Sequence, residues 1–144
     1  MQNIQPIGIR CSEKTRKENS MGDETISKMK NFNLSEETDI VMSDSYKVFE
    51  PYIKQIVSGE GMIGESNYLM IWEKGDMEEL NDDYETREFL NDIILIGSDG
   101  GDTAYGVDVQ GRFIEVPFIG MEDDEVKVIA NDFDEFINYV WSKE

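Results

Sequence analysis

The segment that most restricts the fold is residues 93–119, IILIGSDGGDTAYGVDVQGRFIEVPFI. Its opening run, Ile93 to Gly97, is apolar, too short for an independent helix and closed by glycine, and so reads as a buried strand. After Thr103, the residues Tyr105, Val107 and Val109 alternate with small or polar ones; Gln110 and Gly111 form a turn, and Phe113, Ile114 and Val116 continue beyond it. Period-two alternation sorts side chains onto the two faces of a sheet, and two such runs joined by a short glycine turn make an antiparallel hairpin. The chain is thereby committed to a mainly antiparallel sheet, which helices elsewhere in the sequence must cover.

The glycines and acids of GSDGGDTAYGVD, residues 97–108, fit three uses: a phosphate cradle, a calcium loop or a turn between strands. A calcium loop of the EF-hand type needs acids or amides at its third and fifth positions and glycine at its sixth. Counted from Asp99, those positions hold Gly101, Thr103 and Ala104. The glycine-aspartate nonapeptide of calcium β-helices also fails, since Thr103 stands where glycine is needed and the unit occurs once. A phosphate would face Asp99 and Asp102. A turn carrying charges fits better than either ligand, and no metal or cofactor is expected.

A second glycine motif, GEGMIG at residues 59–64, matches GxGxxG literally. Dinucleotide binding requires a strand before the glycines and a helix N-terminus after them, so that amides face the pyrophosphate. Here a helical pattern precedes and a strand-like stretch, NYLMIW, follows, and Glu60 would oppose a phosphate. A helix-to-strand loop is expected instead.

The helices are legible from their spacing. In NDFDEFINYVWSKE, Phe133, Phe136, Ile137, Val140 and Trp141 form one apolar stripe, while Asp132 and Glu135 have capping-box spacing and Lys143 closes the C-terminal end. Trp72 and Trp141 are both expected in the core. Upstream, Tyr46, Phe49, Ile53, Ile56 and Val57 predict a core-facing helix that kinks at Pro51 or restarts with Pro51 in its first turn. Met77, Leu80, Tyr84, Phe89 and Leu90 suggest a helical patch with an acidic outer face. Residues 1–43 are polar and mixed in charge; at most Ile26, Met29 and Phe32 suggest a turn or two of helix, so a poorly defined segment is expected there.

Function is bounded first by what is missing. With no histidine, Ser-His-Asp, Cys-His and HExxH chemistry are excluded, and a lone Cys11 cannot form an internal disulfide or a CxxC site. No apolar run approaches the roughly 18 to 20 residues that span a bilayer, and no apolar leader opens the chain. A soluble cytoplasmic protein that engages neither membrane nor nucleic acid directly is expected. With 32 acids against 13 bases the net charge is −19, and residues 61–144 hold 22 of those acids against five bases. Such a field either keeps the protein soluble or draws in basic proteins and speeds their encounter. The MEDDE run at 121–125 is open to both readings, as a solvated loop or as a contact.

In this order the pieces resemble the SUKH superfamily. DSYKVFEPYIKQIVSGEGMIG is similar to its early helix and glycine-containing loop, YLMIWEKGDMEELNDDY to its strand and acidic helix, residues 93–119 to its IG-x-D-G-G strand and hairpin, and IANDFDEFI to its closing aspartate-phenylalanine helix. The resemblance covers about residues 44 to 141, giving a domain at 44–144. It implies a single α+β domain with a mainly antiparallel central sheet, helices packed against it and a C-terminal amphipathic helix. It also implies a non-enzymatic binding module. Many bacterial members are cytoplasmic immunity proteins that neutralise a cognate toxin, often a nuclease, and the charge would suit a basic partner. On that reading Gly97, Gly100 and Gly101 let the chain leave a buried strand and reverse. The expected contact residues are Glu78, Glu79, Asp82, Asp83, Asp99, Asp102, Asp108, Glu122, Asp123, Asp124 and Glu125, with Tyr105 as an aromatic anchor. An acidic mimic of nucleic acid, inhibiting a DNA-binding or restriction protein, is the alternative. An enzyme using carboxylates and a metal, and a regulatory scaffold, stand behind it.

Overall fold

The structure is a computed structural model that describes residues 22–35, 40–64 and 66–143. Seven strands form one antiparallel sheet in which every strand pairs with its sequence neighbours: β1 (Asn33–Leu34), β2 (Gly59–Ile63), β3 (Asn67–Ile71), β4 (Ile93–Ser98), β5 (Thr103–Asp108), β6 (Phe113–Pro117) and β7 (Lys127–Ala130). Helices α1 (Asp23–Lys28), α2 (Glu50–Ile53), α3 (Met77–Asp83), α4 (Thr86–Phe89) and α5 (Phe133–Ser142) pack around it. This is the α+β architecture expected from the hairpin pattern.

The strand β4 is buried along its whole length, which explains why its sequence is continuously apolar and does not alternate. On one face Ile94, Ile96, Tyr105, Val107 and Phe113 meet Phe133, Phe136, Ile137 and Val140 of α5. Phe136 is fully buried, stacks on Phe113 at 4.9 Å and meets the edge of Tyr105 at 5.1 Å. On the other face Ile93, Leu95, Ala104, Ile114 and Val116 lie with Leu90 and Met121 in a smaller cluster.

Local chemistry explains the turns. Gly100 has φ +83° and Gly111 φ +85°, a region costly for residues with a Cβ, and they sit in the β4–β5 and β5–β6 connections. Gly97 does something different from the turn expected of it. It lies inside β4 opposite Ile71, where a Cβ would come within 1.9 Å of the Met70 carbonyl oxygen, so glycine is required for β3 and β4 to approach. The register of β4 against β5 also shifts between Leu95 and Gly97.

The seam between β3 and β4 is short, with pairs only at Met70–Ser98 and Ile71–Gly97, supplemented by a bond from the Trp72 amide to the Ile96 carbonyl. For Leu95, a buried asparagine does what a neighbouring strand does elsewhere. Asn81 Nδ2 donates to the Leu95 carbonyl at 2.9 Å and its Oδ1 accepts from the Leu95 amide at 2.8 Å. A third bond, to the Met77 carbonyl, completes its satisfaction.

Three expectations are corrected. GEGMIG is not a loop, since Gly59–Ile63 is β2. Its glycines admit the preceding chain closely, because a Cβ on Gly61 would stand 2.7 Å from the Asn31 carbonyl oxygen. Trp141 is not in the core. It is 42% exposed, with Lys28 over its ring, because it lies at the margin of the stripe whose centre, Val140, is the residue buried in that turn. Finally, the described part of residues 1–43 joins the main core through Met29, Phe32 and Met42, so packing continues ahead of residue 44; residues 1–21 and 36–39 lie outside the described set. The segment around Pro51 takes the second of its two expected forms: a 3₁₀ helix over Asp44–Phe49, then α2 with Pro51 in its first turn.

Candidate protein-binding surface

The acidic residues divide into those that hold the fold and those that face outward. On α3, Met77 is fully buried and Asn81 nearly so, which fixes the helix and turns Glu79, Asp82 and Asp83 outward. Two α3 acids take in the segment before α2: Glu78 accepts from the Ser43 amide at 2.8 Å and Asp82 from the Tyr46 hydroxyl at 2.6 Å. Burial, and then the Asp82 carboxylate, push the Tyr46 pKa up to about 12, so this hydroxyl stays a donor at any ordinary pH. Arg87 stacks over the Tyr46 ring at 4.4 Å and donates to the Ser45 carbonyl. It is thereby committed to the Tyr46 corner.

Between α3 and α4 the chain breaks at Glu85, whose φ of +57° is left-handed. This break lets α4 start in a new direction and puts Tyr84, Glu88 and Phe89 on the surface. The 3₁₀ turn at Asp123–Glu125 is tied to the loop after α4, because Asp123 accepts from the Asn91 backbone amide at 3.0 Å and from its side-chain amide at 2.6 Å. A groove of about 520 Å³ runs between these elements, lined by Tyr84, Glu88, Phe89, Phe118, Gly120, Met121 and Glu122. Tyr84 bridges outward in both directions, with Trp72 stacked at 5.8 Å and Phe118 at 5.0 Å.

In the β4–β5 turn, Asp99 is half-buried and occupied, with Oδ1 accepting from the amides of Gly101 at 2.8 Å and Thr103 at 3.2 Å. Asp102 is exposed, and its carbonyl accepts from the Phe118 amide, which places it beside the groove. Glu88 and Glu122 thus lie in the groove with Tyr84 and Phe118, Asp102 lies beside it and Asp123 is tied to Asn91 at its edge, whereas Glu78 and Asp82 of α3 turn toward Ser43 and Tyr46.

Two expected contact residues do not belong there. Tyr105 has no exposed surface and lies under α5, where Lys143 donates to its hydroxyl at 3.1 Å and to Glu115 at 3.1 Å, while the Tyr139 hydroxyl donates to Glu115 at 2.8 Å. It anchors the helix end and cannot anchor a partner. Asp108 is only 7% exposed and folds the β5–β6 turn, accepting from the amides of Gln110 and Arg112 and from Arg112 Nε. Alternation located both residues on a strand but did not reveal that both sheet faces are covered. Conversely, Tyr84 and Phe89, grouped by helical spacing on the side away from the acidic outer face, are 43% and 49% exposed. Ile119, directly after the hairpin, is 87% exposed, and nothing in the spacing of its neighbours set it apart.

A family model described as SMI1 / KNR4 family (SUKH-1) matches residues 20–139, a span that includes the whole sheet and most of α5. The chain belongs to this family. It is a family of immunity-type domains, generally non-catalytic, so an immunity role and a protein partner follow at that coarse level. The comparison with curated proteins gives no match. Among the described residues no three acidic or cysteine side chains converge on a point that could hold a metal ion, and no helix is long and apolar enough to cross a membrane.

Proposed function

We propose that this chain is a cytoplasmic immunity protein that binds and neutralises a cognate basic toxin, a nuclease being the class its charge suits best, through the acidic side built by α3, α4 and the 122–125 turn. The observation that carries this reading is the convergence of charge. Residues 73–92 hold nine acids against two bases, residues 118–126 hold four acids and no base, and the Asn91–Asp123 bonds join the two segments. A surface of one sign over this width accelerates encounter with a cation-lined cleft and competes for it with phosphate.

The test is co-expression with the toxin encoded beside the gene, followed by association kinetics on the purified pair. Wild-type protein should restore growth. Replacing Glu79, Asp83, Glu122 and Asp124 with lysine should slow association roughly tenfold or more at low salt, with the difference shrinking as salt rises. Equal on-rates would remove this side from the contact. Competition with DNA for many unrelated basic proteins, without one tight partner, would favour the nucleic-acid mimic.

A further inference from the structure

Large apolar side chains left open on a small domain need a cause, because monomers seldom keep contiguous apolar patches without a use for them. The groove between α4 and residues 118–122 has such a patch. Met121 is buried at its base and Phe118 is half-buried, while Tyr84, Phe89 and Ile119 stand open at and beside the mouth. A Cβ on Gly120 would meet nothing within 4 Å, so that wall opens to solvent. The rim is of one sign. Glu88 and Glu122 line the groove, and Asp83, Glu85, Asp102 and Asp123 flank its lining residues in sequence or through hydrogen bonds. Arg87, the cation nearest in sequence, is held over the Tyr46 ring and to Ser45.

We infer that this groove is the specificity pocket for a polypeptide segment carrying one large apolar side chain flanked by lysine or arginine, the apolar group seated against Phe89, Phe118 and Met121 and the cations on Glu88 and Glu122. This rests on the reading that the partner is a basic protein and names where its anchor goes. The chemistry selects among occupants. A phosphate-bearing ligand or an anionic lipid surface would meet the carboxylate rim, and a second copy of this chain would bring −19 against −19. An apolar anchor surrounded by a charged rim is also how tight interfaces divide their work, the centre setting the lifetime and the rim the encounter rate.

The experiment uses two lysine-rich peptides of identical length and charge, one with a central leucine and the other with serine in its place. Binding to the full chain carrying Trp141→Phe is followed by Trp72 fluorescence, local because Trp72 stacks on Tyr84, and by amide chemical shifts. The leucine peptide should bind roughly tenfold or more tightly than the serine peptide, the factor that burial of one such side chain supplies. Its shifts should centre on residues 84–89 and 118–122. Phe89→Ser, a half-exposed position whose loss leaves the core intact, should abolish the preference while circular dichroism stays unchanged. Glu88→Lys with Glu122→Lys should weaken both peptides alike. Equal affinity of the two peptides, or a preference that survives Phe89→Ser, overturns the inference. The toxin experiment separates this outcome from the functional reading. Growth rescued equally by wild type and Phe89→Ser, with the same toxin affinity, sinks the pocket and leaves the immunity role. A leucine preference lost in Phe89→Ser, in a protein that rescues no cell, upholds the pocket and sinks the role.

Discussion

The two faces of the sheet are covered in opposite ways. Under α5 an aromatic cluster of Tyr105, Phe113, Phe133 and Phe136 is sealed, and its few polar groups, Lys143, Glu115 and Tyr139, are bonded to one another. On the other face the cover is thin, made of the end of α4 and the 118–125 segment, and aromatic rings reach solvent among carboxylates. The difference teaches that stability and recognition are housed separately. One face can be altered in charge and shape because the other supplies most of the burial.

The comparison breaks most readily at Phe136. Its replacement by alanine should cost about 3 to 5 kcal/mol in chemical denaturation, whereas Phe89→Ala, on the open face, should stay within about 0.5 kcal/mol of wild type. Similar losses for both would erase the division. Next in size is Asn81, whose side chain completes the hydrogen bonding of β4 beyond its short seam with β3. Asn81→Leu strands the amide and carbonyl of Leu95 and should cost about 2 to 3 kcal/mol by the same measurement. Asp132→Ala removes the acceptor that Glu135's amide uses at the start of α5, at 2.8 Å, and should cost about 1 kcal/mol. The smallest effect sharpens the contrast through pH. The Tyr46 pKa is raised from 10.0 to about 12, so its contribution is complete below pH 10 and fades as pH climbs through about 12. Stability measured across that window should fall less steeply in Tyr46→Phe.

Much of the sealed face was legible in the sequence because its residues repeat. The run at 93–97, the alternation at 103–109 and 113–116, and the stripe from Phe133 to Val140 each follow one period, and Asp132 caps the Glu135 amide as its spacing implied, while the Glu135 carboxylate reaches the Asn131 amide, one residue ahead of the N-cap. What escaped was short or glycine-rich. The strand β1 has two residues, β2 carries glycines that serve close approach, and β7 is an edge strand whose Lys127 and Val128 face solvent, so none offers a period to detect. On the candidate surface the acids were visible as composition. Which of them are spent was legible only in part: Asp99 accepts from amides of its own turn, as an acid in a turn can, and Asp108 does the same in the next one, whereas Asp82 binds a hydroxyl that only folding brings within reach. Tyr84 and Phe89 were misjudged for a related reason. Helical spacing shows that side chains share a side, not that anything lies opposite.

The two-pair seam between β3 and β4 has a consequence of its own. The three leading strands and the four trailing ones are like two combs whose teeth mesh at a single corner, with one carboxamide wedged in beside them. Few hydrogen bonds hold that corner, so the clasp is the filling shared by both combs, Leu69 and Ile71 lying with Ile94 and Ile96, and the grip of Asn67 on the carbonyls that end α5.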